Sequence, residues 1–393
     1  MKSRVLALVL VLVLTAGLLA GCGSQPASTS EPSSTAATGT SSAIPKFKIG
    51  LPWWTSTDPS IVSIENNIKT AVEAAGGELV EIDSDMTADS LIDNITELIS
   101  RGVNGILLMP ASDSMLPTVD EMCSSAGVYY ATYFRDILDQ GIKDQIFASK
   151  YYAGGCHEDD QQCAYDITKS MVDMGVKNLC VVNIAKGDTS SDLRDAGVKK
   201  AVDETGINLL NTTYSITTQT DMTKTIESYI AAYPEMDGIL LAGTYCDAAL
   251  PTIEKALSDH NMAGTVKVGR IDWDTTMGDY FASNSFNVAY GGQFQIDPML
   301  STMILINAVI GTPINTDGSP CWLQTNYLKL TSKEEADNFV KFFQGDLPIF
   351  TTDEIKSTMI KFYDPSINAD TFKNIIANFS VADVVARHQG MIS

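Results

Sequence analysis

The 393-residue chain carries 48 Asp and Glu against 26 Lys and Arg, a formal net charge of −22, and 45% of its residues are apolar. So acidic a chain repels phosphate backbones, which excludes nucleic acid as a partner. Its length exceeds what one small core needs and suits two lobes.

Lys2 and Arg4 precede an apolar run, Val5 to Leu14, that continues to Leu19 and ends in Ala20 and Gly21. This is the pattern of a secretory signal over residues 1–21, and at about 15 apolar residues it is short for a bilayer span. Leu19-Ala20-Gly21-Cys22 resembles the lipobox at which bacterial lipoproteins are cut, and the resemblance implies a lipid on the Cys22 sulfur. An ordinary signal whose cleavage site happens to hold a cysteine is the plainer reading. Two or three acyl chains on Cys22 would hold the protein at a membrane. In the linker, residues 22–45, nearly everything from Gly23 to Ala43 is Ser, Thr, Ala, Gly, Pro or Gln, and Glu31 is the only charge. Such a segment buries too little apolar area to order itself and reads as a flexible tether. The expectation is an exported protein anchored at the outer face of a membrane.

From Lys46 the pattern alternates. KFKIGLPWW predicts a strand, IVSIENNIKTAVEAAGG a helix ending in Gly, and ELVEID a strand. SLIDNITELISRG is a helix with Leu91, Ile92, Ile95, Leu98 and Ile99 on one face; GILLMPA, MLPTVDEMCSSAG and VYYATYF continue as strand, helix and strand. The rhythm restarts with DITKSMVDMG and NLCVVNIAKG and runs through MDGILLAGTY and ALPTIEKALSDH to VKVGRID. Short apolar strands between amphipathic helices that stop at glycine predict an α/β protein whose parallel sheets are covered on both faces. Two such runs predict two doubly wound lobes, with ligand in the cleft beyond the carboxyl ends of the strands. The expected limits are 46–136 and 273–330 for lobe one and 137–272 for lobe two. Residues 331–393, with SKEEADNFVKFFQGD and TFKNIIANFSVADVVARHQG, read as a helical extension packed against one lobe.

Cys180 in NLCVVNI reads as a buried strand residue and Cys123 as helical. The pair Cys156 and Cys163 in GGCHEDDQQC suggests a small disulfide loop; free thiols are the other main reading. A metal site there has poor geometry and lacks a second cysteine-rich half. None of His157, His260 and His388 accompanies a nucleophile motif, and there is no GxSxG, GxGxxG or phosphate loop. Asp58 and Asp272 could in principle do acid–base work, but no sequence partner supports an enzyme, and no cofactor is expected.

Three stretches carry a resemblance: IGLPWWTSTDPSIVSIENNIKTAVEAAGGELVEID, ISRGVNGILLMPASDSMLPTVDEMCSSAGVYYATYFRD and TSSDLRDAGVKKAV. With the order of elements, they make residues 46–330 similar to a type I periplasmic binding protein of the ribose/galactose group, the ligand-catching subunit of ABC sugar importers. The resemblance implies pocket positions at Asp58, Arg135, Arg194, Asp272 and Gln293, since charged planar groups at strand ends grip hydroxyl pairs bidentately. Phe134 stands where the sugar binders carry an aspartate, Tyr245 where they carry asparagine, and Ser60 and Ile61 replace stacking phenylalanines. Trp53 and Trp54 stand where small residues usually do; strand alternation sends their rings to opposite faces, so at most one enters the cleft. The plainer readings are core or rim packing for the tryptophans, salt bridges for the arginines and helix caps for Asp58 and Asp272. What the resemblance implies is a monomeric, lipid-anchored binding subunit. It captures a sugar or similar small polar ligand by hinge closure and hands it to a permease and ATPase complex. A surface receptor for a nucleoside or furanone-like signal is the alternative. On this reading Arg135→Ala or Arg194→Ala abolishes binding without unfolding the protein.

Overall fold

The computed structural model describes residues 43–391 apart from 54–58, 245, 247 and 346, and it leaves the side chains of Pro59 and Gln293 undescribed. Cys22 with the signal and most of the tether, and Trp54, Asp58 and Tyr245, therefore lie outside the described residues, as does the side chain of Gln293.

The chain begins with β1 (Lys48–Trp53), α1 (Pro59–Ala74), β2 (Glu78–Asp83), α2 (Ala88–Ser100), β3 (Gly105–Leu108), α3 (Leu116–Ala126), β4 (Tyr129–Thr132), α4 (Gln140–Phe147) and β5 (Tyr152–Glu158). It then crosses to a second sheet through α5 (Asp160–Asp173), β6 (Asn178–Asn183), α6 (Thr189–Thr205), β7 (Asn208–Tyr214), α7 (Gln219–Ala232), β8 (Gly238–Leu241), α8 (Ala249–Asp259), β9 (Lys267–Ile271), α9 (Met277–Ala282) and β10 (Val288–Gly291). It returns with α10 (Gln293–Val309) and β11 (Cys321–Thr325) and crosses a third time into β12 (Leu328–Leu330).

The sheets run β11-β5-β4-β3-β1-β2 and β12-β10-β9-β8-β6-β7, and every described pairing is parallel except β10 with β12. β3 and β8 share the sequence GILL and are buried at every position, as central strands covered on both faces must be. This is the expected doubly wound pair of lobes.

The crossings fall later than the sequence reading placed them. β5 pairs with β4 and β11, so the chain leaves the first sheet after Glu158, not at 137. β10 pairs with β9, so it leaves the second sheet after Gly291, not at 273. β5 was hard to see because its centre is Gly154 and Gly155, at φ +109° and +156°; a Cβ on either would run into the backbone of Cys321 or Thr132. Glycine here lets three backbones approach closely and removes the apolar signal of a central strand.

The C-terminal helices α11 (Lys333–Phe343), α12 (Thr352–Thr358), α13 (Ala369–Asn378) and α14 (Val381–His388) touch both lobes rather than one. α11 packs on α9, α12 on α1, α13 on β11, and α14 on α11. Asn67 Oδ1 accepts from the Ile349 amide at 2.9 Å, and Asn307 bonds both the Met359 carbonyl and the Lys361 amide at 2.8 Å. Phe339, Phe343 and Phe372 are fully buried, because an amphipathic helix must cover its apolar stripe and both lobes offer it a surface.

The disulfide loop is not formed. Cys156 lies in β5 and Cys163 in α5, on either side of the first crossing, and each is a buried free thiol. Cys123, Cys180 and Cys321 are buried and free as well, and Cys246 is buried with them, all four behaving as small apolar residues.

Candidate ligand-binding cleft

Between the carboxyl ends of the two sheets lies a cavity of about 610 Å³. Lobe one supplies Ser60, Ile61 and Ile64 of α1, Phe134 and Arg135 after β4, Glu158 at the end of β5, and Phe294 of α10. Lobe two supplies Arg194 of α6, Thr244 and Cys246 after β8, and Arg270 to Thr276 around the end of β9, apart from Ile271. Of the sequence-predicted residues, Phe134, Arg135, Arg194 and Asp272 meet here.

Trp53 does not. It is 4% exposed and belongs to the core around β1, α1 and α10. Alternation along a strand sorts residues between the two faces of the sheet, and here both faces are covered. The cleft lies at the strand ends, which alternation does not single out. The aromatic wall is built instead by Phe134, Phe294 and Trp273. Phe134 and Phe294 lie 5.1 Å apart between ring centroids, and Trp273 rests on Phe339 of α11 at 5.5 Å. Trp273 was missed although it directly follows the flagged VGRID.

Two pocket residues hold left-handed backbone without being glycine, Phe134 at φ 67° and Asp272 at φ 71°. Such strain persists only where surrounding bonds impose it. The Phe134 amide donates to Asp297 Oδ1 at 3.2 Å, and its carbonyl accepts from the Glu158 amide at 3.1 Å. The Asp272 amide donates to the Tyr290 carbonyl at 2.8 Å. Asp297 also accepts from Thr325 Oγ1 at 3.3 Å, and burial pushes its carboxyl up to about 8 against these donors.

The two arginines play different parts. Arg135 reaches from lobe one to lobe two, donating to Ser190 Oγ and, at 3.4 Å, to Asp188 Oδ2 at the start of α6. Arg194 is 2% exposed and fully engaged by protein: Nε with Asp160 at 2.6 Å, one terminal nitrogen with the Ala242 carbonyl at 2.6 Å and Asp272 at 3.3 Å, the other with the Tyr327 hydroxyl at 2.9 Å. Arg194 therefore organises the floor of the cleft, and the structural salt bridge is the reading its geometry favours. Asp160, Tyr327, Asp188 and Ser190 were missed. Asp160 is the first residue of α5 and Asp188 the N-cap of α6, places where a carboxylate is ordinary, and Tyr327 lies 133 residues from Arg194. Beside them Arg270 pairs with Asp274 at 3.3 Å, and Asp274 ties down the turn before α9 through the Thr276 amide at 2.8 Å.

A family model described as the periplasmic binding protein domain matches residues 49–297. The chain belongs to the periplasmic binding protein family. Its two lobes and triple crossing are the type I fold of that family, to which the C-terminal helices are added; the family's members are extracytoplasmic substrate-binding proteins rather than enzymes. Solved structures with this fold include a periplasmic sugar-binding protein from Pseudomonas fluorescens, 14% identical, with TM-score 0.70 over 86% of this chain and 99% of that one. A solute-binding protein of an ABC transporter from Actinobacillus succinogenes, with bound D-allose, is 15% identical, with TM-score 0.62 over 74% and 99%. One from Mycobacterium smegmatis with bound glycerol is 17% identical, with TM-score 0.61 over 75% and 97%. No curated protein matches the chain.

Proposed function

We propose that this binding protein is the lipid-anchored, extracellular solute-binding subunit of an ABC importer and that its ligand is a sugar or similar small polyol. The observation that carries the reading is the cleft itself: paired charges from both lobes stand against an aromatic wall, and Arg135 reaches across. A cavity of about 610 Å³ suits a small ligand. Aromatic faces stack on the apolar face of a sugar ring, and charged planar groups grip its hydroxyls. A ligand that touches both lobes favours their closure, and a permease that recognises the closed form then takes only loaded protein. The structural neighbours with bound D-allose, D-tagatose, D-arabinose and myo-inositol support the choice of ligand class. Cys22 holds the lipid, the tether spaces the lobes from the membrane, and the protein acts as a monomer without cofactor or catalysis.

The test is a thermal-shift screen against these four compounds, glycerol and a panel of nucleosides. A ligand at 100 times its Kd adds about 2.7 kcal/mol, a clear rise in melting temperature. A nucleoside hit with no sugar hit moves the protein to a signal receptor, a reading the three aromatic rings of the wall favour. No shift with any of them removes the proposed ligand class.

A further inference from the structure

Glu158 closes β5 at the first crossing, is 3% exposed and lines the cleft. Its Oε2 lies 3.1 Å from the Tyr327 hydroxyl; its Oε1 is shielded from solvent and has no hydrogen-bond partner among the described residues. A buried acceptor left without a partner is costly unless something fills the role.

The protons around Tyr327 can be counted. Its hydroxyl has one proton to give and two lone pairs. It receives from Arg194 at 2.9 Å and lies 2.8 Å from Asp160 Oδ1 and 3.1 Å from Glu158 Oε2. Asp160 is bound at 2.6 Å by Arg194 Nε, so it is the charged partner and takes the single tyrosine proton along the shorter contact. The contact between Tyr327 and Glu158 is then a hydrogen bond only if Glu158 brings the proton.

We infer that Glu158 is a neutral carboxyl that donates from Oε2 to Tyr327 and offers Oε1 as an acceptor to a hydroxyl of the ligand. Resting on the solute-binding reading, this narrows the ligand to one that presents an uncharged donor, such as a polyol hydroxyl, at the floor of the cleft. A cationic group there would call for a charged Glu158.

The surroundings agree. The cations that face Glu158 are already paired, Arg194 with Asp160 and Asp272, and Arg135 with Asp188. On α4, Lys143 is bound to Asp136 at 3.0 Å, and on α10 the nearest carboxyl is Asp297, held by Phe134 and Thr325. Burial, and after it Asp160, push the Glu158 carboxyl well above the ordinary carboxylate range, against Arg194 and Arg135.

The experiment compares the full chain with Glu158→Gln and Glu158→Ala. A neutral carboxyl is replaced in shape and bonding by Gln, whose amide donates to Tyr327 and whose oxygen stands in for Oε1. At neutral pH the infrared spectrum of the Gln variant should lack one neutral-carboxyl stretch present in the parent. A carboxyl raised on folding stabilises fully below its unfolded pKa and loses that contribution as pH rises through the folded one. Urea unfolding should therefore show the Gln variant gaining on the parent as pH rises from the ordinary carboxylate range. Calorimetry with D-allose, D-arabinose and myo-inositol should show the Ala variant binding about tenfold or more weakly, with Gln recovering most of the loss. An unchanged infrared spectrum, or a Gln variant that loses ground as pH rises, overturns the neutral carboxyl. Sugar binding equal in the parent and Ala variant overturns the ligand contact while leaving the sugar reading intact. No binding of any probe by the parent overturns the sugar reading and the hydroxyl contact with it, and the infrared and unfolding results still decide the proton.

Discussion

Arg135 and Arg194 look alike in sequence and differ in burial. The side chain of Arg194 and that of its partner Asp160 are each 2% exposed, so Arg194→Ala leaves a buried carboxylate without its cation. The expected cost is about 3–5 kcal/mol, read as a lowered urea midpoint, because the uncompensated charge outweighs any lost attraction. This prediction departs from the sequence expectation that the change spares the fold. Arg135 and Asp188 are 17% and 22% exposed, and Arg135→Ala should cost about 1 kcal/mol or less in stability. Its affinity for whichever compound raises the melting temperature should nonetheless fall about tenfold, checked by calorimetry. Asp297 yields a pH prediction. Its carboxyl is raised to about 8 by burial, so its contribution to stability is present below the usual carboxylate range and lost as pH rises through about 8. Asp297→Asn should flatten that part of the fall in urea midpoint between about pH 5 and 9.

At the scale of elements, β5 decides where the lobes join. Its two glycines admit the backbones of β4 and β11, and Glu158 follows three residues after Gly155 at the crossing. Gly155→Ala would force a Cβ against the Thr132 carbonyl at a backbone angle side chains avoid. We expect a loss of about 3 kcal/mol or more in urea unfolding. Gly206→Ala, at the C-cap of α6 with φ 72° and open space around it, should cost only about 1 kcal/mol. Equal losses at the two sites would mean that backbone angle alone, and not the close approach of strands, sets the cost. The helices were legible because their apolar stripes recur along the chain, as with Leu91, Ile95 and Leu98, all buried in α2. β12 was not, being three residues long with no room for a pattern.

For the whole molecule, the C-terminal helices join parts that the crossings already connect. α11 backs Trp273 on one lobe while α12 and α13 cover α1 and β11 on the other. Phe339 is fully buried between Trp273 and Phe343, at 5.5 and 4.6 Å between ring centroids. Phe339→Ala should cost about 3–5 kcal/mol through the cavity it leaves. It should also alter tryptophan emission as Trp273 loses its support. An unchanged midpoint would show that these helices are not part of the folding unit.

The chain by itself determined the α/β rhythm and the doubling into two lobes, because each follows from spacing within a few turns; the positions after β4 and β9 where cleft residues fall came from the family resemblance, not from spacing. It also carried the family, through stretches whose order the fold keeps. Only the tertiary structure decided where the chain crosses, that the last helices bind both lobes, and that Trp273 rather than Trp53 faces the cleft. The same holds for the cluster of Glu158, Asp160, Arg194 and Tyr327, whose members lie up to 169 residues apart. Such contacts form when distant strands align at their carboxyl ends, and no local period in a sequence records which distant groups will then share a proton.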